Sequence, residues 1–200
     1  YYNSTDVICS ISKVTDSIVK EVSPEVEHHY VPHAVNGNIF KPLPVEEIDQ
    51  NRLQQLHKDD QDKVIFFWNN RNARRKQSGS LLFWFKKFLD KVGHDKAQLI
   101  MHTDPKDPNG QDLDHIIRHL GLDTERQVLL SISKLKQADL AAIYNMVDCT
   151  INISDAEGFG LATLESLSCG TPIIANMTGG LQEQIRSGSD LFGIPLIPES

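Results

Sequence analysis

Short apolar runs bounded by turn residues alternate along this chain with longer stretches of helical period. Val64–Trp68 is apolar throughout, and shorter runs follow at Leu99–His102, Val128–Ile132, Cys149–Ile153 and Pro172–Ala175. A strand covered on both faces reads as such a run, because neither face needs polar residues. Between these runs, Leu81–Val92, Leu113–Leu120, Leu140–Met146, Phe159–Cys169 and Leu181–Ser187 read as helices. Strands alternating with helices of this length predict βαβ units, and so an α/β domain: a Rossmann-like parallel sheet with helices on both faces. Upstream, Val7–Cys9 is a brief apolar run and His28–Val31 another, ended by Pro32. Ser10–Glu21 predicts a helix from the spacing of Ile11, Val14, Ile18 and Val22. Residues 33–44 are rich in Asn, Gly and Pro and read as a linker. The expected organisation is a tail of another domain over 1–32, a linker over 33–44 and an α/β domain over 45–200 whose C-terminal end lacks a closing helix.

Composition narrows the function classes. Hydrophobic residues at 40% and charged residues at 24% are the mix of a folded soluble chain, not a disordered one. The net charge of −7 argues against binding nucleic acid through overall charge. Every hydrophobic stretch is interrupted well before the roughly 18–20 residues of a membrane span. No basic start with an apolar follow-on marks a signal peptide. Cys9, Cys149 and Cys169 are odd in number and lack CxxC spacing, so neither a disulfide framework nor a zinc ribbon is expected. Asn-x-Ser/Thr triplets at Asn3, Asn152 and Asn176 would matter only in a secreted protein, and the expected location is cytoplasmic. His28, His29 and His33 have no carboxylate or Cys at ligand spacing and read as structural or exposed. The aromatic clusters Phe66-Phe67-Trp68 and Phe83-Trp84-Phe85 read as core.

The segment with most chemistry runs from Ser154 to Pro172. A strand ends at Ile153, a turn containing Gly158 and Gly160 follows, and a helix begins near Phe159. Such a turn lies at the carboxyl edge of a parallel sheet, where ligands bind. Its free N–H groups and the positive end of the helix suit a phosphate or diphosphate. Glu157 and Glu165 flank this point, on the order of 10–12 Å apart at about 1.5 Å rise per residue. That is too far for the acid–nucleophile pair of a retaining glycosidase, which needs roughly 5–5.5 Å. It suits two carboxylates gripping hydroxyls at opposite ends of one extended ligand. Ser166, Ser168 and Cys169 lack a nucleophile-elbow pattern, so covalent catalysis is not expected.

In the setting EGFGLATLESLSCGTPIIA (157–175), Glu157 and Glu165 resemble the E-x7-E motif of family 4, the retaining GT-B glycosyltransferases. His28–Pro42 is similar to that family's interdomain segment, with Ala34 and Asn36 where Gly and Asp are usual. Ile65–Lys76 resembles the family's Gly-Arg strand and Lys-Gly loop, with Asn70 and Gln77 in place of the glycines. Residues 178–183 match its small Gly-Gly loop, and the resemblance is collinear over most of the chain. It implies the C-terminal, donor-binding half of a GT-B fold and transfer of a sugar from a UDP-, GDP- or ADP-sugar with retention. The acceptor would be a glycan, a lipid or a small molecule, and peripheral membrane contact would fall to the N-terminal domain. By the family's pattern Glu157 would hold donor-sugar hydroxyls and Glu165 the ribose. Gly158, Phe159, Gly160 and Leu161 would offer N–H groups to the diphosphate, Arg71 and Lys76 would neutralise it without a metal, and Ser131 would lie near the base. Arg74 and Arg75 are expected to face solvent. A GT-B phosphorylase or epimerase, and a non-catalytic nucleotide-sugar-binding module, share these features.

Overall fold

The computed structural model describes residues 2–197. Six strands form one parallel sheet: β3 (Val64–Asn69), β4 (Ala97–His102), β5 (Val128–Ser131), β6 (Cys149–Asn152), β7 (Ile173–Asn176) and β10 (Ile194–Leu196). A separate parallel pair, β1 (Val7–Ser10) and β2 (Glu27–Tyr30), carries helix α1 (Lys13–Val22), and a short antiparallel pair joins β8 (Arg186–Ser187) to β9 (Asp190–Leu191). The helices of the main layer are α2 (Val45–Gln55), α3 (Ser78–Val92), α4 (Leu113–His119), α5 (Gln137–Met146), α6 (Leu161–Ser168) and α7 (Leu181–Ile185).

Strand period explains how one run of apolar residues fills two cores. In β3, Phe66 and Trp68 point to one face and Ile65 and Phe67 to the other. The first face packs α3 and α4 through Leu82, Phe85, Leu89, Leu113 and Ile117, with Leu99 and Met101 of β4 beneath. The second packs α5 through Ala141, Tyr144 and Met146, with Leu56 just beyond the end of α2. Ile173, Ala175, Leu181 and Ile185 extend that face under α7. This is the expected α/β class, with helices on both faces.

The strand order is β10-β7-β6-β3-β4-β5. The chain winds outward through β3, β4 and β5, returns to the other side of β3 as β6, and then winds outward the opposite way. Right-handed crossovers put the helices of the two halves on opposite faces. The winding reverses between β3 and β6, so the loops leaving Asn69 and Asn152 start side by side at the carboxyl edge from strands whose connections run in opposite directions. Ligands of open α/β sheets bind at such a switch point.

Three features differ from the hydrophobic pattern. Helix α2 has no buried residue and few apolar ones. Arg52 fastens it by donating to Met146 O (3.2 Å), Lys63 O (2.6 Å) and Asp148 Oδ1 (3.1 Å). Strand β10 contains Pro195, which donates no N–H and fits only because β10 is a sheet edge. The stripe expected to bury α1 lies partly outside: Ile18 is 49% and Val22 52% exposed, while Asp16 and Val19 are buried.

The aromatic clusters also divide. Phe67, Trp68 and Phe85 are core, but Phe83 and Trp84 are exposed on α3, with the Lys87 ammonium 4.7 and 5.1 Å from their ring centroids. At the amino edge of the sheet, fully buried Asp60 accepts from Lys63 Nζ (2.8 Å) and Arg126 Nη2 (2.8 Å). Burial pushes this carboxyl up, but the two cations outweigh it and hold its pKa below the ordinary value.

Candidate functional site

The turn after β6 is built from buried polar contacts. Asn152, 2% exposed, accepts from Ser154 Oγ (2.6 Å) and Ser154 N (3.2 Å) and donates to Thr163 Oγ1 (3.2 Å) in α6. The glycan-acceptor triplet at Asn152 is therefore a structural link whose carboxamide no glycan can reach. Asn176 likewise donates to Ile153 O (3.0 Å) and Ser154 O (3.2 Å).

Gly160 caps α6 at φ +93°, a left-handed conformation that costs an L side chain energy. Gly179 and Gly180 lie against this turn so closely that a Cβ on Gly179 would sit 1.9 Å from Glu157 O, and one on Gly180 2.6 Å from Gly158 O. Gly180 N donates to Glu157 O (3.0 Å). Among the described residues, the backbone N–H groups of Gly158, Phe159, Gly160, Leu161 and Ala162 find no protein acceptor. They gather at the start of α6, where the helix dipole adds positive potential.

The loop after β3 meets this turn across the switch point. Arg75 O accepts from Asp155 N (2.8 Å), and Arg75 Nη1 donates to Ala156 O (2.7 Å) and Glu157 Oε2 (3.1 Å). Lys76 Nζ donates to the other oxygen, Glu157 Oε1. Lys76 is 6% exposed. Burial pushes its ammonium pKa below the usual lysine value, opposed by Glu157 and assisted by Arg75. Arg75 thus joins the cluster while about half of its side chain stays open to solvent, and Arg74 is exposed as expected.

Arg71 is placed differently. Its side chain is largely exposed, with Nε 2.6 Å from Asp107 Oδ2 and Nη2 3.2 Å from Asp107 Oδ1. The Arg71 guanidinium and a backbone N–H hold the Asp107 carboxyl well below the usual range. Asn72, fully buried, ties this loop to the next by donating to Gln111 O (2.7 Å) and accepting from Ser78 Oγ (2.7 Å).

Glu165 lies inside α6, partly buried, and Tyr144 Oη donates to its Oε2 (2.9 Å). Asn69 Nδ2 donates in turn to Tyr144 Oη (2.9 Å). Burial raises the Glu165 pKa and the Tyr144 hydrogen bond pulls it back. Tyr144 is an α5 residue read from the sequence only as part of an apolar helix. Ser131 ends β5, where its Oγ lies 2.9 Å from His102 Nδ1, and burial lowers the His102 pKa. Ser166 is no nucleophile: its Oγ is held between Thr150 Oγ1 (2.6 Å) and Thr171 O (3.0 Å). His29 pairs with Glu27 (2.8 Å), and His33 meets the edge of Phe159 at 5.3 Å. No group of three or more His, Cys, Asp or Glu is disposed to hold a metal ion among the described residues.

Residues 47–195, which carry the switch point, both loops and both glutamates, match the family described as Glycosyl transferases group 1. The chain belongs to that family.

The chain is also similar to named proteins and solved structures over part of their length. A D-inositol 3-phosphate glycosyltransferase of Thermobispora bispora is 46% identical over 52 residues, 26% of this chain and 12% of that protein. A trehalose synthase of Pyrococcus horikoshii is 23% identical over 175 residues, 86% of this chain and 42% of that protein. Sucrose-phosphate synthase from Thermosynechococcus elongatus superimposes with a TM-score of 0.79 at 21% identity, over all of this chain (100%) and 47% of that one. Anabaena HepE, solved with UDP and glucose, gives a TM-score of 0.75 at 18% identity, over 98% of this chain and 50% of that one. The chain therefore spans about half the length of these two solved structures, and shares with them the Rossmann-like half of the GT-B fold. No helix among the described residues is long and apolar enough to cross a membrane.

Proposed function

We propose that this chain is the donor-binding part of a retaining, metal-independent glycosyltransferase that takes a sugar from a nucleoside diphosphate sugar. Residues 45–200 would form the donor domain, 33–44 the hinge and 1–32 the edge of the acceptor domain, in a cytoplasmic enzyme. One observation carries the reading: at the switch point Lys76 and Arg75 converge on Glu157 beside the free N–H groups of residues 158–162. Cations and backbone N–H groups gathered there are complementary to a diphosphate, and Glu157 adds an acceptor for sugar hydroxyls. UDP and UDP-glucose are bound by the Anabaena structures of the same fold, which makes uridine the first base to test.

In this reading the diphosphate lies on the α6 N-terminus with Lys76 and Arg71 as its cations, and Arg71 shares its guanidinium with Asp107. The ribose hydroxyls donate to Glu165, and Ser131 lies toward the base. As the bond between the anomeric carbon and the diphosphate oxygen breaks, negative charge grows on the leaving group. Fixed cations and oriented N–H groups stabilise that charge as a metal would elsewhere. The acceptor hydroxyl bonds to the same face of the anomeric carbon and its proton passes to the departing phosphate oxygen, so no protein nucleophile is needed. The acceptor is a glycan, a lipid or a small molecule.

Titration calorimetry with UDP, GDP and ADP tests the reading. Glu165→Ala should weaken the nucleoside diphosphate about ten- to a hundredfold, the loss of a charge-assisted hydrogen bond. Glu157→Ala should spare the diphosphate and weaken the sugar-bearing donor. Parent-like binding of all three diphosphates by both variants removes the assignment.

A further inference from the structure

Gln77 is the one non-glycine residue with positive φ among the described residues, at φ 58° and ψ 34°. It stands between the turn Arg74–Lys76 and the start of α3. An L residue with a long side chain takes this left-handed conformation only when something holds it there. Both ends of the Gln77 carboxamide are held. Its Nε2 donates to Asp155 Oδ2, and its Oε1 accepts from Ser80 Oγ (2.7 Å). The backbone N of Asp155 donates to Arg75 O (2.8 Å), and Asp155 O accepts from Thr178 Oγ1 (2.8 Å). Asp155 is thus the junction of the loops after β3, β6 and β7, and Gln77 is the side chain that anchors its carboxylate.

A glycine at 77 would adopt this φ without strain but could make neither side-chain bond. We propose that Gln77 is a positioning residue: its amide clamps Asp155 and so holds Lys76 against Glu157, in exchange for a strained backbone. The functional part of this inference rests on the donor-site reading above; the clamp itself does not. The side chain touches neither Lys76 nor Glu157, so it acts only through the register of the two loops.

The test uses the 200-residue chain, amide hydrogen exchange at Asp155, and UDP titration. Gln77→Glu keeps the size and the strained backbone but sets a carboxylate against Asp155. It should speed exchange at Asp155 about tenfold and weaken UDP by about three- to tenfold, the size of one ordinary hydrogen bond, because Gln77 acts on the ligand only through the loops it positions. Gln77→Gly should do the same to exchange while melting no lower than the parent, because strain is relieved as the bond is lost. The double variant Gln77→Glu with Asp155→Asn restores an amide–carboxylate pair with the roles exchanged. It should return exchange to within about twofold of the parent, a recovery that a merely space-filling side chain would not give. Parent-like exchange in Gln77→Glu, or no recovery in the double variant, overturns the clamp. A parent that binds no UDP while exchange follows the expected pattern overturns the donor-site reading and leaves the clamp standing.

Discussion

Glycine substitutions separate two physical demands, steric at Gly180 beside the turn before α6 and conformational at Gly121 after α4. Gly180 has ordinary backbone geometry, φ −68°. A Cβ there meets Gly158 O at 2.6 Å, Phe159 Cα at 2.7 Å and Phe159 O at 2.9 Å. All three are backbone atoms, so the turn itself must move. Gly121 is the opposite case: φ is +64° and nothing lies within 4 Å of the added Cβ. Gly121→Ala should therefore cost about 1–2 kcal/mol of conformational strain and nothing else. At about 2–4 °C per kcal/mol for a chain of this size, the melting midpoint falls by roughly 2–8 °C. Gly180→Ala should cost about 1–3 kcal/mol of overpacking, or roughly 2–12 °C. The two variants can melt alike, but they should bind differently. A shift of the backbone at Gly158 and Phe159 would misdirect the N–H groups that the proposed site offers to a diphosphate, and each weakened charge-assisted bond is worth about 1.5–3 kcal/mol. Gly180→Ala should thus lose at least about tenfold in UDP affinity, whereas Gly121→Ala should keep the parent value. Differential scanning calorimetry and isothermal titration on the same preparations supply both numbers. Parent-like UDP affinity in Gly180→Ala, with the chain folded, refutes the view that this turn must be held by the Gly179–Gly180 loop.

Three further outcomes are expected. Tyr144→Phe removes the hydroxyl that lowers the Glu165 pKa, so the pH at which acid begins to weaken UDP binding should move upward, as a calorimetric pH series will show. Asp60→Asn leaves buried Lys63 without its counter-charge and should cost about 3–5 kcal/mol in denaturant unfolding. Because the Asp60 pKa is lowered by folding, its contribution is present above the unfolded value of 3.8 and is lost as pH falls through the folded one; the gap between parent and variant should shrink in strong acid. In the proposed site Lys76, Arg71 and the N–H groups of the α6 turn supply the positive charge, so sugar transfer by the intact enzyme should survive EDTA; loss restored by Mn²⁺ or Mg²⁺ would contradict that proposal.

The alternation of apolar runs was enough to reveal strands β3 to β7 and helices α3 to α7, because each element's burial pattern is local and repeats with its own period. The spacing of Glu157 and Glu165 around a glycine turn was legible for the same reason. Elements held by other means were not. Helix α2 is fastened by Arg52 with little apolar burial, and β10 is an edge strand containing Pro195, so neither leaves a periodic trace. Nor does period say which of several neighbouring cations faces the site. Arg75 and Lys76 turn toward Glu157 while Arg71 turns to Asp107, because the return of the chain from β5 to β6 sets residues some eighty positions apart against one another. Tyr144 looked like core and is core, yet its hydroxyl reaches Glu165 from another helix. Phe83 and Trp84 looked like core and are not, because α3 buries only one stripe of its surface. Sequence periodicity fixes which face of an element is apolar. The order of the strands, which depends on pairing distant segments, decides what the polar ends of those elements meet.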